Sequence, residues 1–285
     1  MKPTDRNPDL LEGAPPPTVH SVRVDDASLH VEVRGSGPAV LLVGAADEDA
    51  EVYRGIAERL ATACTVVSYD RRGTGRSDSA SWPSDTARHA GDAIALIDFL
   101  TLDDVTVLGA SAGGLVTLRM ALSHPDLLRT VLCYEPGVFE VTDAGRALRL
   151  RVEAVVSEHL RTHEGDWSGA VDELGRAAVG FVENGTSLFA PPEGGAWFAR
   201  RTATHAESLI RGDIPLTLEI FDPQEILSCP VNLRFAHGTA SLTVFEEVVT
   251  TLAGFRGESP DTLDGLGHSI FYHPDAAARY VRNWI

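Results

Sequence analysis

Lysine and cysteine are both scarce in this chain of 285 residues. Lys2 is the only lysine, and 41 acidic side chains outnumber 24 basic ones, which gives a formal net charge of −17. Such an acidic surface repels phosphate groups, which argues against nucleic acid or an anionic membrane as a partner. The three cysteines are odd in number, far apart and close to apolar runs, so we expect buried thiols and neither a disulfide nor a metal site. They are Cys64, Cys133 and Cys229.

Long apolar runs are also missing. The N-terminus has no charged-then-apolar signal pattern, and no run reaches membrane-spanning length, so we predict a cytoplasmic protein. Residues 1–17 are polar and include three consecutive prolines, which indicates a flexible leader. The hydrophobic fraction of 44% and the length fit one large α/β domain or a core with an inserted subdomain.

The stretch from Val105 to Gly114 carries the clearest chemical signal. An apolar, β-branched run leads into Gly-Ala-Ser-Ala-Gly, and a helical pattern follows. This strand–turn–helix context is what a nucleophile turn requires, since side chains at Gly109 and Gly113 would collide with neighbouring backbone. Ser111 would lie at a helix N-terminus, where backbone N–H groups stabilise developing negative charge. The sequence therefore predicts a nucleophilic serine.

Strand and helix patterns alternate around this turn, which predicts a parallel sheet with helical crossovers. Between residues 138 and 225 the pattern is helical only, with one apolar stripe from Leu148 to Leu160 and another from Trp167 to Phe181. We therefore expect a core of residues 18–137 and 226–285, and a helical insertion at 138–225 over the sheet. The histidines on helical patterns beside charged residues are expected at the surface or in the insertion; they are His89, His159, His163 and His205.

Three motifs together resemble the α/β-hydrolase fold with a helical cap. They are the nucleophile turn, the Asp70–Asp78 loop and Gly267-His268 before the last helix. The resemblance covers residues 18–285 and implies a mostly parallel eight-stranded sheet flanked by helices, with an inserted helical cap. It also implies that His268 is the base. We interpret Arg71, Arg72 and Arg76 in the Asp70–Asp78 loop as structural.

The chain departs from the family pattern at two places. The family commonly has His-Gly-x after the third strand, where this chain has Gly44-Ala45-Ala46-Asp47. Backbone amides need no particular side chain, so Ala46 and Ala112 can still form the oxyanion hole. The usual catalytic aspartate is absent as well, because its position is Ala240. Glu135 at the end of the sixth strand is our candidate for the missing acid, with a structural role in a Glu-Pro turn as the alternative.

We therefore predict a serine-dependent hydrolase that acts on a small, largely apolar ester or related acyl compound through an acyl-enzyme. Two alternatives stay open: a non-hydrolytic enzyme of this fold, such as a cofactor-free lyase or cyclase, and a ligand-binding protein with a degenerate triad. No cluster with metal-ligand spacing is evident, so neither a metal nor a cofactor is expected. The partner would be a small-molecule substrate, and a homo-oligomer stays open. Aromatic residues of the insertion are candidates to line the pocket: Trp167, Phe181, Phe189, Trp197 and Phe198.

Overall fold

The computed structural model describes residues 13–78, 85–179 and 205–285, which form an eight-stranded sheet with helices on both faces. The strands are β1 (Thr18–Val24), β2 (Ala27–Arg34), β3 (Ala39–Val43), β4 (Thr65–Tyr69), β5 (Val105–Ala110), β6 (Leu128–Tyr134), β7 (Asn232–Gly238) and β8 (Asp261–Leu263). Their order across the sheet is β1-β2-β4-β3-β5-β6-β7-β8. β2 pairs antiparallel with β1 and β4, and all other pairs are parallel. The predicted fold class is confirmed.

Helices occupy most of the connections between the strands. They are α1 (Arg54–Leu60), α2 (Thr86–Phe99), α3 (Ala112–Ser123), α4 (Asp143–Thr162), α5 (Trp167–Val179), α6 (Ala206–Ser208), α7 (Ile214–Leu216), α8 (Pro223–Ser228), α9 (Thr243–Phe255) and α10 (Pro274–Arg282). A π-helical turn, Leu209–Asp213, joins α6 to α7. Within the described part of the chain, no helix is both long enough and apolar enough to cross a membrane.

Strand β3 shows why the central strands are apolar at nearly every position. Val40 and Leu42 belong to the cluster that contains residues of α1 and α10, while Leu41 and Val43 belong to the cluster on the opposite face, with residues of α2, α3 and α9. Side chains alternate between the two faces of a strand, and both faces of this sheet are covered by helices. A polar side chain on either face would therefore be buried in an apolar layer.

The segment between β6 and β7 is helical in the residues that are described. Helices α4 and α5 pack together with the π-helical turn in one apolar cluster, whose buried members are Val156, Ala170, Leu174, Leu209 and Ile210. The described residues of the two predicted stripes thus lie on two amphipathic helices. Residues 180–204 of this segment lie outside the described residues.

The exposed position predicted for His89 is wrong. Helix α2 begins at Thr86, and its buried face includes Thr86, His89, Ala90 and Ala93. This burial lowers the pKa of His89 well below its usual value, and nearby arginines act in the same direction. By contrast, the three cysteines are buried free thiols, as predicted.

Candidate active site

The turn between β5 and α3 holds Ser111 in a strained backbone conformation. Ser111 has φ 50° and ψ −116° and directly precedes the first residue of α3. A Cβ at Gly109 would lie 2.4 Å from the carbonyl oxygen of Gly113, and a Cβ at Gly113 would lie 2.3 Å from that of Val43. Both contacts are shorter than any real Cβ contact, so the turn requires glycine on both sides of the serine.

The end of β6 is bonded directly to this turn. The Ser111 amide donates to the carbonyl oxygen of Tyr134 at 3.0 Å, and the Gly137 amide donates to that of Ser111 at 3.2 Å. Glu135 lies between these contacts and is fully buried, with a positive φ of 43°. A non-glycine residue in this conformation is uncommon, and such strain clusters at functional sites.

Three donors converge on the carboxylate of Glu135. The Gly238 amide donates to Oε1 at 2.9 Å, the Ser241 hydroxyl donates to Oε2 at 2.7 Å, and His268 Nδ1 lies 2.7 Å from Oε2. A carboxylate only accepts, so the proton of this last bond is on Nδ1. The Nε2 atom of His268 is then the basic nitrogen. The structure thus brings together Glu135 and His268, which are 133 residues apart.

The ring of His268 is also held by an aromatic stack. The Phe245 ring lies nearly parallel to it, with centroids 4.1 Å apart and 18° between the planes. The preceding residue is fixed as well, because the Tyr134 hydroxyl donates to the carbonyl oxygen of Gly267 at 2.6 Å. The imidazole is therefore held on one face by the Phe245 ring and at Nδ1 by Glu135.

The loop after β3 contains Ala46, one of the two predicted oxyanion donors. The Arg71 guanidinium donates to the carbonyl oxygens of Gly44 at 3.0 Å and Ala45 at 2.7 Å. It also donates to Asp213 Oδ1 at 2.6 Å, and the other oxygen of Asp213 accepts from the Asp47 amide at 2.8 Å. Burial alone would lower the pKa of Arg71, but the Asp213 carboxylate raises it above its usual value.

Glu48 is a second buried carboxyl group in the same loop. It accepts a hydrogen bond from the Ala45 amide at 2.9 Å and is also hydrogen-bonded to Tyr53. Burial raises its pKa to about 7, although both of these contacts act in the opposite direction. Glu48 and Tyr53 line a small cavity of about 30 Å³ that also reaches Ser111 and His268.

A larger cavity of about 110 Å³ lies over the candidate nucleophile. Ser111, His268, Ala46 and Ala112 are all on its wall. Most of the remaining lining is apolar and comes largely from the β6–β7 segment and α9; it includes Phe139, Leu148, Val152, Leu174, Leu209 and Phe245.

Two charged side chains also line this cavity, and both are paired. Arg149 donates to Glu140 at 2.5 Å and to Glu153 at 2.9 Å, and Asp213 accepts from Arg71. Both charged side chains therefore already have oppositely charged partners.

Of the aromatic residues predicted to line the pocket, only Trp167 is among the described residues. Trp167 does not line the larger cavity; its ring packs on the apolar cluster of α4 and α5, and Arg211 lies over it at 5.8 Å. Phe181, Phe189, Trp197 and Phe198 lie outside the described residues. In the part of the chain that is described, no group of three or more His, Cys, Asp or Glu residues could hold a metal ion.

Sequence reasoning missed Asp213 and Phe245, whose positions beside the site depend on long-range packing. Neither belongs to a motif, and Asp213 reaches Asp47 across 166 residues of sequence. Arg71 was expected to be structural, and the sequence did not indicate its bonds to the loop of Ala46. In the sequence, Asp213 is marked only by the apolar residues close to it, Leu209, Ile210 and Ile214.

Comparison with known proteins identifies the family. The model of the alpha/beta hydrolase family matches residues 13–280. The uncharacterized hydrolase YraK of Bacillus subtilis is 36% identical over 123 residues, which cover 42% of this chain and 45% of that protein. The 2-(acetamidomethylene)succinate hydrolase of Mesorhizobium japonicum is 29% identical over 133 residues, 47% of this chain and 48% of that protein. The matched segments thus span less than half the length of these relatives.

Solved structures agree over nearly the whole chain. An alpha/beta hydrolase from Sphaerobacter thermophilus has a TM-score of 0.72 at 25% identity, covering 93% of this chain and 99% of the other. A thermophilic esterase from Thermogutta terrifontis has a TM-score of 0.74 at 16% identity, covering 94% and 97%; at that identity the likeness shows the fold alone. Given the family match over residues 13–280 and this shared fold, the chain belongs to the alpha/beta hydrolase family.

Proposed function

We propose that the protein is a serine hydrolase that cleaves a small, largely apolar ester or related acyl compound. The observation that carries this proposal is the 2.7 Å contact between Glu135 and His268 Nδ1, on the wall of the cavity that Ser111 also lines. This contact directs Nε2 of the imidazole to act as the base. The two relatives named above are both called hydrolases, which supports the proposed reaction class.

In the acylation step, the Ser111 hydroxyl attacks the ester carbonyl carbon while Nε2 of His268 takes its proton. The carbonyl oxygen becomes an oxyanion, and the backbone amides of Ala46 and Ala112 donate to it. Ala112 is the first residue of α3, so its amide has no acceptor within the helix. The tetrahedral intermediate then collapses, and the alcohol leaves with the proton held by His268.

Deacylation repeats these steps with water as the nucleophile. Nε2 of His268 takes a proton from water, the hydroxide attacks the acyl carbon, and the proton returns to Ser111 as the acid is released. Glu135 holds the imidazole in the required tautomer throughout and stabilises the imidazolium that forms. The β6–β7 segment supplies much of the apolar cavity wall, so we propose that it caps the site and sets acyl specificity.

Treatment with a fluorophosphonate, followed by intact-mass measurement, tests the nucleophile. We expect one adduct on the wild type and none on Ser111→Ala. A panel of short and medium-length esters, with untargeted product analysis, tests the reaction. An adduct that persists in Ser111→Ala contradicts the assignment of the nucleophile. Tight binding of an apolar ligand without turnover would instead favour a binding protein or a non-hydrolytic enzyme.

A further inference from the structure

The loop of Ala46 lacks the histidine that commonly supports it, and a buried ionic network occupies its surroundings. The guanidinium of Arg71 bonds two successive carbonyl oxygens of the loop, those of Gly44 and Ala45. Arg71 is only 1% exposed, so these bonds are shielded from water. Charge-assisted bonds of this kind are stronger than bonds between neutral groups. The guanidinium therefore holds the backbone of the loop at Gly44 and Ala45.

The bond to the Ala45 carbonyl has a direct consequence for the next amide. The carbonyl of Ala45 and the N–H of Ala46 belong to the same planar peptide group, and in a trans peptide they point in opposite directions. Holding the oxygen on one side therefore sets the direction of the N–H on the other. The positively charged guanidinium beside that oxygen also polarises the peptide group, which makes the N–H of Ala46 a stronger donor.

Asp213 completes the network from the β6–β7 segment. One carboxylate oxygen pairs with Arg71 at 2.6 Å, and the other accepts from the Asp47 amide at 2.8 Å. His205 of the same segment lies with Nδ1 3.0 Å from the carbonyl oxygen of Asp47, which accepts this bond. Asp213 ends the π-helical turn, and π-turns occur frequently at functional sites. Both peptide groups that flank Ala46 are thus held.

We propose that Arg71 and Asp213 are positioning residues for the oxyanion-hole amide of Ala46, so that the contact between the π-helical turn and the loop of Ala46 supports catalysis. This inference rests on the proposed hydrolase function. Asp213 is shared between the cavity wall and the loop. Without Asp213, the Asp47 amide loses its acceptor and the buried guanidinium loses its carboxylate partner, so the peptide groups on both sides of Ala46 are held less firmly.

Asp213→Asn tests the proposal. A single amide oxygen can accept from Arg71 or from the Asp47 amide, and the NH₂ group then faces the remaining donor. Removal of a complete oxyanion donor costs about 10²–10³ in kcat, so misdirecting one should cost about 10- to 100-fold. We expect this loss in kcat for p-nitrophenyl acetate, with KM within about threefold. Affinity for phenyl trifluoromethyl ketone, which forms an oxyanion on Ser111, should fall by the same factor.

The neighbouring pair Arg72–Asp92 provides a matched control. Arg72 follows Arg71 in the chain and forms another buried pair, with Asp92 of α2, through bonds of 2.6 and 2.5 Å. Its remaining contact is to Asp26, so it makes no bond to the loop of Ala46 among the contacts described. Asp92→Asn should lower thermal stability as much as Asp213→Asn but leave kcat within a few-fold. Arg71→Lys is the second test variant and should show the same loss in kcat. The three bonds of the guanidinium come from two separate nitrogens, and the single nitrogen of an ammonium group cannot occupy both positions.

Hydrogen exchange of residues 44–48 separates this inference from the proposed function. Asp213→Asn should accelerate exchange in this loop, and Asp92→Asn should not. A wild-type protein that neither hydrolyses esters nor reacts with the fluorophosphonate contradicts the proposed function, whatever the loop does. If the wild type is active and Asp213→Asn matches Asp92→Asn in kcat, analogue affinity and loop exchange, the positioning role is refuted. Should Asp213→Asn not fold, the same comparison with Arg71→Lys decides.

Discussion

Replacing Glu135 by glutamine removes the charge but keeps the shape of the side chain. The Gly238 amide can only donate, so the glutamine oxygen must take the place of Oε1, where the amide lies 2.9 Å away. The glutamine NH₂ then takes the place of Oε2 and faces His268 Nδ1. The imidazole must present a lone pair there, which moves its proton to Nε2, the atom that should receive the proton of Ser111.

The structure also sets the size of the effect. In the flipped orientation the glutamine oxygen would face His268, and its NH₂ group would face the Gly238 N–H. Two donors would then face each other at a cost of about 1–3 kcal/mol, so this orientation is a minor species. Loss of the equivalent carboxylate in serine proteases lowers kcat by about 10⁴, because the tautomer is wrong. We therefore expect Glu135→Gln to lower kcat by about 10³–10⁴, which corresponds to about 4–5 kcal/mol of transition-state stabilisation.

Steady-state kinetics on p-nitrophenyl acetate, with thermal denaturation to verify folding, measures this loss. Ser241→Ala is the matched control, because it removes one donor to Oε2 at 2.7 Å and leaves the carboxylate in place. We expect it to lower kcat by no more than about tenfold, which corresponds to about 1.4 kcal/mol, near the upper end of the usual contribution of one hydrogen bond. The reasoning is refuted if Glu135→Gln stays within a few-fold of the wild type, or if Ser241→Ala loses as much.

The sheet could be predicted from the sequence because each central strand carries its own evidence. All six residues of β5 are buried, and an apolar, β-branched run of this length before a glycine turn is typical of a strand covered on both faces. The burial of His89 in helix α2 was harder to predict, because His89 stands beside charged residues in the sequence. Whether it is buried depends on what packs against it in the folded chain, which local spacing does not reveal.

The candidate site was predictable to the extent that motifs mark the ends of strands. Ser111 follows β5 and Glu135 follows β6, and the carboxyl ends of parallel strands meet at one edge of a sheet. The sequence could therefore nominate Glu135 but could not choose between a catalytic and a structural role. The three donors that surround its carboxylate come from residues more than 100 positions away, and only the folded chain brings them together.

Two further variants test residues beside the candidate catalytic groups. Phe245→Leu removes the ring stacked on His268; we expect the free energy of unfolding to fall by about 1–2 kcal/mol and kcat by up to about tenfold, measured by urea denaturation and steady-state kinetics. An unchanged kcat would mean that the stack does not orient the imidazole. For Glu48, burial raises the pKa from 4.5 to about 7 in the folded protein. Between these two pH values the folded chain retains a proton that the unfolded chain has lost, so stability falls as pH rises through this window. The loss is about 1.4 kcal/mol per pH unit, or about 3 kcal/mol in total, and it is complete above pH 7. Glu48→Gln cannot ionise, so its unfolding free energy, measured in urea at pH 5 and pH 8, should lack this decrease. A variant that loses as much stability as the wild type over the same interval would show that Glu48 does not carry the proton.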